Sequence, residues 1–280
     1  MRRLLVTGAS GTLGQHVARQ AQAAGGEVTG TFFTAPRPLP IAWRRLDVTD
    51  RTAVAALVAE LRPDAVVHTA YQPRGPALWA ATADGAASVA LAAARAGARL
   101  VHLSTDALFD GTAAPYDERA RPSPITPYGA AKAAAETAVA AIAPGAAIVR
   151  TSLILSHDPL DPQQRLVLAL LDGQPGRLFV DEVRCPIAAE DLAAAVLELA
   201  AGDFADVINV AGPEALSRYA LGRLVAAAHG RSPEAVPAGT LAASGLHRPA
   251  DVRLDLTLAG ARLATRPRAA SAYLRPAGAA

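Results

Sequence analysis

Short apolar runs alternate with longer alanine-rich stretches through the first 150 residues. RRLLVTG, EVTGTFF, DAVVHTA, ARLVHLST and AAIVRTS read as strands buried on both faces. Between them, Leu13 to Ala24, Thr52 to Leu61, Thr82 to Ala96 and Thr126 to Ile142 read as helices. Strands joined by helical crossovers run parallel, because each right-handed crossover returns the chain to the same edge of the sheet. The predicted fold class is therefore α/β, a doubly wound, Rossmann-like parallel sheet. Alanine at so many helical positions blurs the hydrophobic period, so the helix bounds are soft.

After Ser152 the alternation thins. Pro159, Pro162, Pro175 and Pro186 punctuate short segments ahead of a helix from Ala188 to Ala200 and a strand-like DVINVAG. A helix from Arg218 to His229 follows, then a loop-rich end with Pro233, Pro237, Pro249, Pro267 and Pro276. The pattern suggests a dinucleotide-binding domain over 1–155 and a smaller, partly interleaved substrate lobe over 156–280. Residues near 186–212 are expected to return and pack on the first domain.

Composition narrows the function. With 51% hydrophobic and 19% charged residues in 280, the chain can bury a sizeable core and is not disordered. Its 27 basic and 25 acidic residues nearly balance, and no basic block exceeds a pair, which sets nucleic acid aside as a partner. Apolar stretches such as AASVALAAARAGARLVHL are cut by Arg95 and Arg99, short of a membrane span. Arg2 and Arg3 precede too few apolar residues for a secretory leader, so the expected location is the cytoplasm. The single cysteine, Cys185, allows no internal disulfide, and the six histidines show no ligand spacing, so no metal is expected. All basic residues but Lys132 are arginine, which makes that one lysine conspicuous.

The chemistry-bearing segments begin at the first strand-to-helix turn. TGASGTLG sets Gly8, Gly11 and Gly14 where a backbone can turn tightly against a pyrophosphate, beside helix N-terminal amides. An NAD site usually carries Asp or Glu about 20 residues further on. Here the second strand ends Thr31-Phe32-Phe33-Thr34, with Arg37 close behind, and a hydroxyl with a guanidinium suits a 2′-phosphate. NADP is the favoured cofactor on this ground, with NAD left open. Asp47 and Val48 follow the short run IAWRRL, where an adenine edge can be met.

Ser104-Thr105-Asp106 closes a strand, and Tyr128-Gly129-Ala130-Ala131-Lys132 opens a helix behind Pro127. Residues four apart share a helix face, so phenol and ammonium can enter one site. Only two of the 27 basic positions lie four after a tyrosine, Lys132 and Arg223. A cation there is expected to lower the Tyr128 pKa toward the working range of a general acid.

In these segments, together with LDVTD, PDAVVHTAY, HLSTDALFDG, PYDE, IVRTS and RPADVRLD, the chain resembles the extended short-chain dehydrogenase/reductase family. Within it, STDALFDG followed by PYDE is similar to the dTDP-4-dehydrorhamnose reductase-like branch of nucleotide-sugar reductases. The resemblance implies hydride transfer to a ketone on a nucleotide-linked sugar, with Tyr128 as proton donor and Thr105 on the substrate carbonyl. Lys132 would hold the nicotinamide ribose. It also implies that Ser10, Thr12 and Leu13 join the three glycines at the pyrophosphate, and that Ala70, Tyr71 and Ser104 face the inner ribose.

Several features bear on the substrate. Ala107 follows Asp106 where water-eliminating relatives carry a second acid, which argues against dehydration. Leu153 stands near the place where rhamnose-forming reductases have an aromatic residue. Arg165, Arg184, Arg248 and Arg253 are available for a nucleotide diphosphate, though each reads more simply as a surface arginine. Trp43 and Trp79 read as packing residues before base-stacking ones. An epimerase, a non-catalytic cofactor-binding regulatory subunit and a homodimer all stay open.

Overall fold

The computed structural model describes residues 2–275, so Pro276 lies outside the described residues. Arg3–Thr7 (β1), Glu27–Phe32 (β2), Ala42–Arg45 (β3), Ala65–His68 (β4), Arg99–Leu103 (β5), Ala147–Arg150 (β6) and Asp206–Asn209 (β7) form one sheet. Its order is β7-β6-β5-β4-β1-β2-β3, and every pairing is parallel. The chain moves outward from β1 in one direction, then crosses back through β4 to fill the other side. That reversal opens a crevice beyond the carboxyl ends of β1 and β4, where ligands bind in sheets of this kind. The expected Rossmann-like fold is what the chain forms.

Strand residues alternate between the two faces, and each face has its own helices. Leu4, Val6, Val67, Val101, Leu103 and Val149 meet Val17 and Ala18 of Thr12–Ala23 (α1) and Leu192 and Val196 of Ala189–Ala201 (α6). Leu5, Val66, Leu100 and Ile148 meet Arg51–Leu61 (α2), Gly85–Ala96 (α3) and Pro127–Ile142 (α4). The alanines that obscured the helical period, among them Ala90, Ala93 and Ala135, are fully buried contacts that let these helices sit close to the sheet.

The edge strand β3 was not among the runs read as strands, and two further features were not anticipated. Pro162–Leu171 is a helix (α5), capped by Asp161 and packed through Val167 and Leu170 on Leu221 and Val225 of Arg218–Ala228 (α7). The stretch from Thr82 is also no uniform α-helix, because Ala80–Asp84 winds as a π-helical turn before α3 begins. Thr82 lies in that turn, and its hydroxyl bonds both the N–H and the carbonyl of Gln72. The π-turn and the loop after β4 are thereby tied together.

Side chains cap several of the helices. Asp50 caps α2, Thr126 caps α4 and Ser217 caps α7. At α1 the N-cap is Gly11, with no side-chain bond to the first-turn amides. Those amides are left to a ligand or to solvent.

Candidate active site

Gly8 sits at φ +75°, and a Cβ there would come within 2.7 Å of the Ala70 backbone. Only glycine lets the β1 turn pass so close to the turn after β4. Between these turns and the end of β2 lies a cleft of about 380 Å³. Of the residues picked from the sequence, Gly8, Ser10, Gly11, Asp47, Val48, Ala70 and Tyr71 line it. Thr12, Leu13 and Gly14 stand behind its wall as the first turn of α1, with Leu13 and Gly14 buried. Thr34 is exposed and outside the lining, and Arg37 reaches the rim, its Nε donating to the Ser10 carbonyl at 3.2 Å.

Sequence reasoning missed Thr31, Phe32, Phe33, Leu46, Thr49, Thr69, Gln72, Ala77 and Ala81 as lining residues. Most flank the ends of β2, β3 and β4, so the strand-end rule for such sheets could have found them. The cleft fits a dinucleotide. It is apolar where a flat base would lie, it is floored by a turn that a Cβ would fill, and it ends at uncapped helix amides.

At the end of β5 the chain turns at Thr105, whose extended backbone lets its Oγ1 accept from Ala107 N at 3.2 Å. Gly129 brings α4 onto this turn: a Cβ there would lie 2.1 Å from the Ala107 carbonyl oxygen. That contact sets Tyr128 beside Thr105. The Tyr128 ring also lies 5.7 Å from that of Tyr71, and Lys132 Nζ sits 5.3 Å over the Tyr71 ring. Tyr71, which lines the cleft, thus touches both Tyr128 and Lys132, and Tyr128 faces Thr105, so the three residues chosen from the sequence gather beside the cofactor cleft.

Lys132 is 4% exposed, and its ammonium donates to the Leu103 carbonyl at 2.7 Å. Burial pushes its pKa down to about 8, with Glu136 pulling the other way. The expectation that Lys132 lowers the Tyr128 phenol is corrected by this geometry. Burial pushes the phenol up, Tyr71 and Asp106 add to the rise, and Thr105 is the group that opposes it. The ammonium's charge is directed at a backbone carbonyl instead.

Asp106 is buried, and burial raises its carboxyl although Arg184, 3.9 Å away, and the Ser152 hydroxyl, at 2.6 Å, favour the charged form. Ser104 is also buried, and its Oγ has no partner among the described residues. Arg184 is no surface arginine. It is 6% exposed and shares Glu182 with Arg248, both at 3.1 Å. Arg165 is exposed and Arg253 is spent on Asp251. Leu153 packs toward the α5–α7 cluster, Trp43 stands edge-on to Phe32, and Trp79 is half-exposed beside the π-turn. No metal-binding cluster and no helix able to cross a membrane occurs among the described residues.

The family description "RmlD substrate binding domain" matches residues 1–276. Dehydrorhamnose reductase (dTDP-4-dehydrorhamnose reductase) of Mycobacterium tuberculosis is 32% identical over 249 residues, covering 84% of this chain and 78% of the relative. Methionine adenosyltransferase 2 subunit beta of Xenopus tropicalis is 30% identical over 235 residues, covering 78% and 69%. The dTDP-4-dehydrorhamnose reductase of Bacillus anthracis in complex with NADP superposes with a TM-score of 0.84 at 22% identity, covering 98% of this chain and 97% of that one. At that identity the superposition speaks for the fold.

Proposed function

The chain belongs to the RmlD substrate binding domain family, and from that premise we propose that it is an NADPH-dependent reductase of a keto group on a nucleotide-linked sugar, of the dTDP-4-dehydrorhamnose reductase type. The observation that carries this reading is the meeting of Thr105, Tyr128 and Lys132 beside a dinucleotide-shaped cleft. We read 1–155 as the cofactor domain and 156–280 as the substrate lobe.

The cofactor would be held by Gly8, Ser10, Gly11, Thr12, Leu13 and Gly14 at its diphosphate. Asp47 and Val48 would meet the adenine, and Thr34 and Arg37 a 2′-phosphate. Ala70, Tyr71, Ser104 and Lys132 would meet the inner ribose and nicotinamide. When bound, the reduced nicotinamide supplies a hydride for the carbonyl carbon. Thr105 donates its hydroxyl hydrogen to the carbonyl oxygen; in the structure that hydroxyl makes a long 3.4 Å contact to Asp106 and faces the Tyr128 phenol, so an oxygen set between them can receive both donors. Tyr128 donates its phenolic proton to the same oxygen as negative charge develops there, completing the alcohol. Burial keeps the phenol protonated beforehand, which suits a donor. Lys132 would hold the inner ribose through its ammonium protons and must be charged to do so fully, so turnover falls as pH rises through about 8.

Tyr128→Phe should lower reduction of a dTDP-linked 4-keto sugar by about 10³-fold while cofactor titration stays near normal. Retained turnover refutes the assignment. A second reading, a cofactor-binding subunit without turnover, is favoured by the similarity to methionine adenosyltransferase 2 subunit beta. Binding of NADPH with no oxidation across dTDP-, UDP- and GDP-linked keto sugars would select it. A cytoplasmic location goes with the reductase reading, and sedimentation of the purified chain reads out whether it forms a homodimer.

A further inference from the structure

The face of the sheet beneath α4 ends in a row that the reaction above does not use. Thr7, His68 and His102 are direct neighbours on β1, β4 and β5. They are 0%, 1% and 0% exposed. Positions on this face one step earlier, Leu5, Val66 and Leu100, are ordinary core aliphatics. His68 Nδ1 lies 2.6 Å from Thr7 Oγ1, and the two imidazoles stack with centroids 5.4 Å apart. The other three ring nitrogens, His68 Nε2 and both of His102, have no hydrogen-bond partner among the described residues.

Two buried imidazoles with three bare nitrogens are costly where a leucine would fit, and buried polar groups of this kind call for a reason. Lys132 lies in the next layer, on the α4 that packs over this face, and its ammonium binds the carbonyl of Leu103, the residue that follows His102 on β5. We propose that His68 and His102 are positioning residues, a neutral floor whose ring lone pairs steady the Lys132 ammonium on the sheet side while its remaining protons stay free for ligand. With His68 Nδ1–H donating to Thr7, Nε2 carries a lone pair, and His102 keeps one bare nitrogen in either tautomer. Burial and the lysine charge together hold both rings neutral, so they act by lone pairs and not by charge.

The other groups near the ammonium are accounted for. Tyr71 from the loop after β4 offers its ring face, and Tyr128 on α4 is a neutral phenol. Glu136, one turn along α4, favours the cation but is bonded to Arg150 at 2.9 Å. Thr105 and Asp106 beyond β5 face Tyr128 and each other.

This inference rests on the reductase reading for its purpose, but its test does not. Lys132 is the only lysine, so protein made with isotope-labelled lysine gives one side-chain signal, whose titration is followed by NMR without turnover. The wild-type signal should titrate at about 8. His102→Leu and His68→Leu should each lower it by about half a pH unit or more, and His102→Asn, which returns an acceptor, should recover part of the shift. An unmoved titration in a folded leucine variant overturns the proposal. If neither leucine variant folds, Lys132→Met in protein with labelled histidine decides it. Loss of the ammonium should move the ring-nitrogen resonances of His68 and His102, and unchanged resonances overturn it. Failure here with Tyr128→Phe still inactive would leave the reductase standing.

Discussion

Two buried polar regions flank Thr105, and they handle charge in opposite ways. On the sheet side, one ammonium, Lys132, bonds the Leu103 carbonyl and lies over the Tyr71 ring, and the carboxylate that acts on it, Glu136, is already bonded to Arg150. On the other side, Arg184, Arg218 and Arg248 gather around Glu182 and Asp106. Arg184 spends its donors on Glu182, Val183, Pro249 and Ala250, and burial pushes Arg218 down to about 10. A buried cation bonded to a carbonyl, with its nearest carboxylate committed elsewhere, keeps a proton that can be lost near neutrality. Guanidiniums gathered on carboxylates stay charged at neutral pH, and they fix geometry instead.

The largest expected effect tests the locked side. Glu182 is 1% exposed and bonds two arginines. Glu182→Ala should therefore cost about 3–5 kcal/mol in urea unfolding, because it strands the buried Arg184 guanidinium without its bonded counter-charge. A loss below about 1 kcal/mol would mean that the two regions do not differ as described.

Lys132→Met should act in the opposite direction, removing turnover while stabilising the fold by on the order of 2 kcal/mol at neutral pH. The folded-state pKa of Lys132 lies below that of a free lysine, so the unfolded chain binds more protons between about 8 and 10.5. Wild-type stability should rise with pH through that window, and the rise should be absent in the variant. A destabilised Lys132→Met would place the lysine among the structural groups, like Glu182.

His68 carries a similar sign at lower pH. Its pKa is pushed down to about 3 by burial and by Lys132, so its full stability is present above 6.5 and is lost as pH falls toward 3. At pH 5 the loss from this ring is on the order of 2 kcal/mol. His68→Leu should flatten that part of the stability profile, and an unaltered acid limb would show that the ring is not held neutral.

The two regions also differed in how far the sequence disclosed them. The sheet side is written locally: a glycine-spaced turn, a strand ending in Ser104-Thr105 and a Tyr/Lys pair one helical turn apart each lie within a few residues. Thr126 and Pro127 even mark where α4 begins. The His68/His102 row was hidden because each histidine acquires its neighbour only from the sheet order. The locked side joins residues such as Arg184 and Pro249, which are 65 apart, so nothing local marks Arg184 as buried. Helix α5 did carry a local sign, Asp161 before Pro162, which a run of prolines obscured. The π-turn left no sign, since alanine fits either winding.

Arg37 offers the smallest and most specific test, at the outer end of the cleft. It is exposed, and its bond to the Ser10 carbonyl ties the segment after β2 to the glycine turn. Two roles for that guanidinium make different predictions. If it meets a 2′-phosphate, Arg37→Ala should weaken NADPH binding about tenfold and leave NADH unchanged, since a charge-assisted hydrogen bond to an exposed anion has roughly that effect. If it only braces the turn, both cofactors should weaken together, because the diphosphate they share sits on that turn. Titrating both cofactors at one ionic strength separates these outcomes, and only a change confined to NADPH supports the assignment of Arg37 to cofactor choice.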